Sequence, residues 1–513
     1  MSGADVLIIG GGSAGSILAN RLSADPARRV TLLEAGRQVT DPDVARPELW
    51  PFIQGRDYDW AYATEPQQHL AGRTLSWPRG KGLGGSSNLH AMAHMRGARS
   101  DFAVWVEATG SDRWSWDRML PHFRVLESYS GGADAIHGAD GPMPVMLPGA
   151  EVSPVVVDYL AAWESLGLRR ISDHNSGEMI GATPNSLTIR NGKRVTVADA
   201  YLFPVKTRPN LTVVEGTLVH RLRLIGDRVS SVEVSRDGHD EIFHADTVIL
   251  AAGSIGDPLL LMRSGVGDNV VLAAADVPTA LNRPDVGRNL HDHLLGAGNL
   301  YRSRKTVPPT RLQLSESMTY LSAEGTAVTS GIADVVVGCV VAPSVSERYQ
   351  SATVGLGAGD AYTLLFGVTH PTSRGSIRIT GPDPSDAPVI DPAYLSTVHD
   401  RAMFRRALEL ARLVGNSGAM APWRAEELLP GSSIVGQDAV DAFIAQAAIT
   451  HHHPVGTCRM GADDDAVVDG DLRMRGIDNL FVVDASVFPA ITTGPVHAAV
   501  MAVAESFAAS FVG

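Results

Sequence analysis

The 513-residue sequence predicts an α/β protein, α+β overall, and three observations carry that prediction. An apolar run at 5–9 leads through a glycine-rich loop into a helical pattern and then into a second apolar run at 30–33. Further nucleotide-type signals recur near residues 250, 285 and 484. The stretches between them, mainly 150–205 and 300–450, carry mixed strand and helix patterns. The first two observations predict a parallel sheet assembled from separated segments, and the third predicts a second domain built from the intervening chain.

The elements follow in order. Asp5-Val-Leu-Ile-Ile9 reads as a buried strand, and Ser16 to Leu22 has helical apolar spacing that stops at Asp25-Pro26. Val30 to Leu33 is a second buried strand ending at Glu34, which completes a βαβ unit. Residues 36–80 are irregular, rich in Pro and Asp and punctuated by Trp50, Trp60, Tyr62 and Trp77. Helical patterns occupy 98–127, 400–415 and 438–448, strand alternation runs through 208–251, and Val496 to Phe511 forms an apolar-rich terminal helix. No internal repeat interrupts this order.

Composition narrows the function. With 44% hydrophobic and 19% charged residues the chain is ordinary globular material. A formal net charge of −13, without a Lys/Arg block, argues against nucleic acid and anionic membrane as partners. No apolar run approaches the ~20 residues of a membrane helix. Cys339 and Cys458 read as reduced thiols, and the early strand at Val6 leaves no room for a secretory leader, so a cytoplasmic protein is expected.

The Gly10-x-Gly12-x-x-Gly15 loop stands between strand and helix, where backbone N–H groups at the helix N-terminus receive a pyrophosphate. Glu34, 19 residues beyond Gly15, is placed to accept ribose hydroxyls. Together these predict a dinucleotide site without separating FAD from NAD. Arg79 to Asn88 is a second loop of small residues that lets backbone pass close to a planar ligand. A strand also ends in Ala252-Gly253-Ser254, and another in Asp484-Ala485-Ser486. His291-Asp-His293 has no third ligand at turn or helical spacing, and His451 and His453 have no carboxylate or cysteine nearby, so no metal site is expected. His451 and His453 share one face of an extended segment, and a histidine near neutral pH serves as an acid or base.

Taken together these motifs resemble the glucose–methanol–choline (GMC) oxidoreductase family over essentially the whole chain. The resemblance rests on Gly10 to Glu34, Gly80 to His90, Ala251-Ala-Gly-Ser254, His453-Pro-Val-Gly-Thr-Cys-Arg-Met-Gly461 and Val483-Asp-Ala-Ser486. It implies a Rossmann-like FAD-binding domain from 1–150, 206–300 and 452–513. It also implies a substrate domain of antiparallel sheet plus helices from 151–205 and 301–451. FAD is then expected against Gly10, Gly12, Ser13, Ala14, Gly15, Glu34, Ala35 and Trp60. The same holds for Arg79, Gly80, Gly84, Gly85, Ser86, Asn88, Leu89, His90, Ala91 and Met92, and for Val219, Ala252, Gly253, Asp484, Ala485 and His497. Leu89 stands where covalently flavinylated members carry histidine, so the FAD is expected to be non-covalent.

The resemblance further implies that His453 is the base, with His497, 44 positions on, as its hydrogen-bonding partner. His451-His-His453, Gly494-Pro495-Val-His497 and His370-Pro-Thr-Ser-Arg-Gly375 are most similar to members that oxidise pyridoxine, where His451, His453 and Pro495 meet the reacting centre. The expected function is oxidation of a primary alcohol to an aldehyde, with O2 as acceptor, in a monomer or small homo-oligomer. Another aryl or furanic alcohol oxidase, or a choline-type alcohol dehydrogenase with a different electron acceptor, is the alternative, and an FAD-containing hydroxynitrile lyase is the alternative from another class.

Overall fold

The computed structural model describes residues 3–328 and 330–511. Strand β1 (Ala4–Ile9) leads into helix α1 (Ser13–Leu22) and β2 (Val30–Leu33). After intervening segments that include the helices Arg99–Thr109, Trp116–Leu126 and Pro154–Ser165, the elements that frame the site include β3 (Leu211–Val214), β4 (Ala245–Leu250), α2 (Gly253–Arg263), β5 (Leu294–Ser303), β6 (Ser315–Leu321), β7 (Val335–Val340) and β8 (Ala361–Val368). Further along are α3 (Val398–Gly415), β9 (Arg424–Leu429), α4 (Gln437–Ala447), β10 (Ala448–Thr450), β11 (Leu480–Val482) and α5 (His497–Ser510).

The first sheet is parallel, in the order β11-β4-β1-β2-β3. Its strands are near-continuous apolar runs because both faces are covered; Leu7, Ile8 and Leu32 have no exposed surface. Ile9 pairs with both Leu33 and Leu250, and Leu250 pairs with Val482. Four strands therefore end together, and the glycine loop, Glu34, Ala252-Gly253 and Asp484 all emerge at one edge, where an open α/β sheet binds its ligand.

Helix α5 is buried nearly all round, from Ala498 to Phe507, and so reads as uniformly apolar. It starts at His497, one residue later than the sequence pattern suggests. Glu505, its one buried carboxylate, pairs with Arg21 of α1 at 2.8 Å and accepts from Tyr201 Oη at 2.7 Å.

The second sheet is antiparallel, in the order β6-β7-β8-β5-β9, with β10 added on β5. Strand β5 runs through residue 300, so it joins the stretch expected in the FAD-binding domain to this second sheet. Helix α3 begins where Thr397 accepts the N–H of Asp400, and Phe404, Ala407, Leu408, Ala411 and Val414 bury one stripe against the sheet. Cys339 and Cys458 are buried free thiols. Among the described residues, no helix is long and apolar enough to cross a membrane.

One buried charged cluster joins the segment around 94–96 to residues 127, 137 and 173. Glu127 accepts from Arg96 at 2.5 Å and contacts His137 Nδ1 at 3.1 Å, while His137 Nε2 lies 3.3 Å from Asp173. Burial works against a charge on His137, but Asp173 and Glu127 outweigh it and raise its pKa to about 9. A raised folded-state value gives stability that is complete below the ordinary value of 6.5 and is lost as pH climbs through about 9. Urea midpoints of the wild type should therefore fall between pH 7 and pH 10 by the equivalent of about 2–3 kcal/mol, and His137→Gln should flatten that slope.

Candidate active site

The first glycine loop is shaped by contacts that no side chain tolerates. Gly10 has φ of +104°, and a Cβ there would stand 2.5 Å from the Ala251 carbonyl oxygen; one on Gly15 would stand 1.8 Å from the Gly10 oxygen. Gly84 N–H donates to the Gly11 carbonyl at 2.8 Å, which docks the second loop on the first. Glu34 accepts from the N–H of Gly11 at 2.7 Å and of Gly36 at 2.8 Å, and burial raises its pKa. Asp484 accepts from Gly253 N–H at 2.5 Å and so ties the ends of β4 and β11 together.

Above these ends lies a cavity of about 1140 Å³, larger than the roughly 300–1,000 Å³ of ordinary ligand pockets. Gly10, Gly12, Ser13, Ala14, Glu34, Ala35, Trp60, Arg79, Gly80, Gly85 and Ser86 line it, as do Leu89, His90, Ala91, Met92, Val219, Ala252, Gly253, Asp484, Ala485, Pro495 and His497. Gly15, Gly84 and Asn88 were expected on this wall and do not reach it. Gly15 packs on Gly10, Gly84 hosts a left-handed turn, and Asn88 Nδ2 braces the loop by donating to the Leu83 and Gly85 carbonyls. The opposite wall is the face of the antiparallel sheet, with Leu295, Met318, Val340, Leu365 and Ile449.

His451 and His453 line the same cavity, and their surroundings define their chemistry. Pairing of β10 with β5 lets His451 N–H donate to the His293 carbonyl at 2.9 Å. Asp292 accepts the His453 N–H at 2.6 Å, the Thr450 hydroxyl at 2.6 Å and the Tyr394 hydroxyl. The His453 ring sits with Nδ1 3.0 Å from His293 Nδ1, and its Nε2 has no protein partner among the described residues. Neither ring nitrogen of His451 is hydrogen-bonded there either, and the two rings lie 4.2 Å apart. Burial lowers both pKa values, His451 to about 3, with neighbouring imidazoles adding to the effect. Both rings are therefore neutral near pH 7 and free to accept a proton.

One expectation needs correction. His497 is not the hydrogen-bonding partner of His453. Its Nε2 lies 3.0 Å from Ser13 Oγ and its ring packs edge-on against His90 at 4.5 Å, because α5 begins beside the glycine loop. Pairing across 160 residues also brings His293 to His451 and His453, with their candidate ligand atoms within 4.8 Å of one another, a neighbour that turn or helical spacing does not disclose.

Sequence reasoning missed Asp292 and Arg194. Asp292 carried a signal in the His291-Asp-His293 motif, whereas Arg194 carried none. Arg194 is 4% exposed, forms no ion pair among the described residues, and donates to the carbonyl of Val44 and to Nδ1 of His90. Met92 N–H donates to that same Nδ1, so neutral His90 carries its proton on Nε2. Asp292→Ala would strip the His453 N–H, Thr450 and Tyr394 of their shared acceptor. Urea unfolding should register a loss of about 3 kcal/mol or more.

Sequence models of the GMC oxidoreductase family match residues 4–295 and 371–504. The chain is 55% identical to pyridoxine 4-oxidase of Microbacterium luteolum over 508 residues, covering 99% of each chain. It is 35% identical to mitochondrial choline dehydrogenase of Mus musculus over 529 residues, covering 98% of this chain and 88% of that one. The crystal structure of pyridoxine 4-oxidase from Mesorbium loti superposes with a TM-score of 0.97 at 55% identity, over 99% of each chain. A formate oxidase variant of Aspergillus oryzae superposes at 0.89 with 26% identity, over 99% of this chain and 97% of that one. With its glycine-loop sheet edge, large cavity and buried histidines, the chain belongs to the GMC oxidoreductase family, whose cofactor is FAD.

Proposed function

We propose that the protein oxidises a neutral aromatic primary alcohol to its aldehyde, with pyridoxine as the best substrate, His453 as base and O2 as the final acceptor. The observation that carries this reading is the uncommitted Nε2 of a neutral His453 in a cavity whose other wall is a dinucleotide loop. The residues present fit FAD. The cavity exceeds what a small alcohol needs, a Cβ on Gly12 would meet nothing closer than 3.9 Å, and the first-turn N–H groups of α1 face a pyrophosphate position. Glycine loop, Glu34, Ala252-Gly253 and Asp484 would hold the cofactor, and Leu89 offers it no covalent bond.

Bound FAD supplies the hydride acceptor. The chain supplies the proton path and the electrostatics. His453 Nε2 takes the hydroxyl proton as hydride leaves the carbinol carbon. His451, with both ring nitrogens free, hydrogen-bonds the same oxygen. His497 instead steadies Ser13 on the cofactor side. Pro495, Val496 and His497 bring the N-terminus of α5 to the cavity, where roughly half a positive charge stabilises negative charge on a bound group.

Substrate choice follows from the wall. The sheet face offers Leu295, Met318, Val340 and Leu365, and the carboxylates lining the cavity, Glu34, Asp386 and Asp484, are not part of that face. A quaternary ammonium needs an acidic or aromatic box, so this wall suits a neutral ring better than choline.

Anaerobic mixing with pyridoxine, benzylic alcohols, choline and a hydroxynitrile tests the reading. Pyridoxine should bleach the flavin absorbance fastest, whereas hydroxynitrile cleavage without any bleaching by alcohols would establish a lyase. His453→Ala should keep its FAD yet bleach at least ~100-fold more slowly. Acid precipitation of the protein should leave the yellow colour in the supernatant; a coloured pellet would contradict a dissociable cofactor.

A further inference from the structure

His293 lies behind the cavity wall and is 3% exposed. Its Nε2 is 2.7 Å from the Thr369 carbonyl oxygen, which only accepts, so Nε2 carries the proton of this ring. Burial lowers the pKa of His293 to about 3, which keeps the ring neutral and leaves Nδ1 as a bare lone pair. That lone pair faces His453 Nδ1 at 3.0 Å. Two bare nitrogens at this distance would repel, so His453 must place its proton on Nδ1. The free Nε2 of His453 then holds a lone pair and no hydrogen.

We propose that His293 is a positioning residue for alcohol oxidation: anchored on the Thr369 carbonyl, it fixes the tautomer of His453 so that the basic nitrogen is the one in the cavity. This rests on the reading of His453 as base. Without His293, neutral imidazole is free to carry its proton on Nε2, where it cannot accept another. The substrate O–H breaks, an Nε2–H bond forms on His453, and the Nδ1–H stays where it was. The resulting imidazolium donates Nδ1–H to His293, a charge-assisted bond stronger than the neutral one it replaces. His293 passes no proton on, because its other nitrogen is already protonated and faces a carbonyl.

His293→Leu removes the acceptor, and His293→Asn restores an oxygen close to the position of Nδ1. Both are compared with wild-type and His453→Ala holoenzymes by anaerobic stopped-flow with pyridoxine. His293→Leu should slow flavin reduction at least ~30-fold with the substrate Kd changed less than about threefold. A solvent deuterium isotope effect on reduction should appear or grow, because proton removal becomes limiting. His293→Asn should recover a substantial part of the loss.

Reduction by His293→Leu within threefold of wild type overturns the proposal. So do two variants equally slow with a raised Kd and no isotope effect, which would mark a packing role alone. If His293→Leu fails to fold, His293→Asn decides: a rate as low as that of His453→Ala overturns the proposal, and partial retention at unchanged Kd supports it. Unimpaired reduction by His453→Ala would instead sink the base assignment, which keeps the two failures apart.

Discussion

The antiparallel pairing of β10 with the start of β5 is the contact on which the site depends. Leu294 faces Thr450 and Gly296 faces Ala448 in this register. Just beyond the paired residues, the chain on one side presents Asp292 and His293 and on the other His451 and His453. A slip of one residue would turn each side chain to the opposite face. Asp292 resists such a slip by accepting from the His453 N–H, Thr450 and Tyr394 together.

Burial then sets the charge state of the groups so gathered. Burial and neighbouring positive charge both work against protonation of His293, His451 and His453, so all three stay neutral at pH values where an exposed histidine is partly protonated. A site of neutral imidazoles beside an apolar sheet face binds an uncharged alcohol at little desolvation cost. The cofactor side differs. Buried Arg194 forms no ion pair among the described residues, and the N-terminus of α5 adds a partial positive charge.

The parallel sheet was more legible than the antiparallel one. Its strands are short apolar runs bounded by glycine and acidic residues, so a local window contains the strand, the turn and the helix that follows. Gly10, Gly12 and Glu34 were readable because a tight turn and a strand end leave fixed spacings. The wall residues of the antiparallel sheet, such as Leu295, Met318 and Val340, were not, because any buried strand carries such residues. Arg194 follows no motif and gains its meaning only from the His90 nitrogen it meets.

What the sequence determined by itself was the fold class and the dinucleotide loop, set by local spacing, while the histidines near residue 453 were marked by the family resemblance of their motif. What only the tertiary structure decided was which histidines stand together. Pairing across 160 residues joined His293 to His453, and the start of α5 carried His497 away to Ser13. Sequence spacing gives no measure of such distances, because strand register and helix placement are fixed by the burial of whole elements rather than by the residues that do the chemistry.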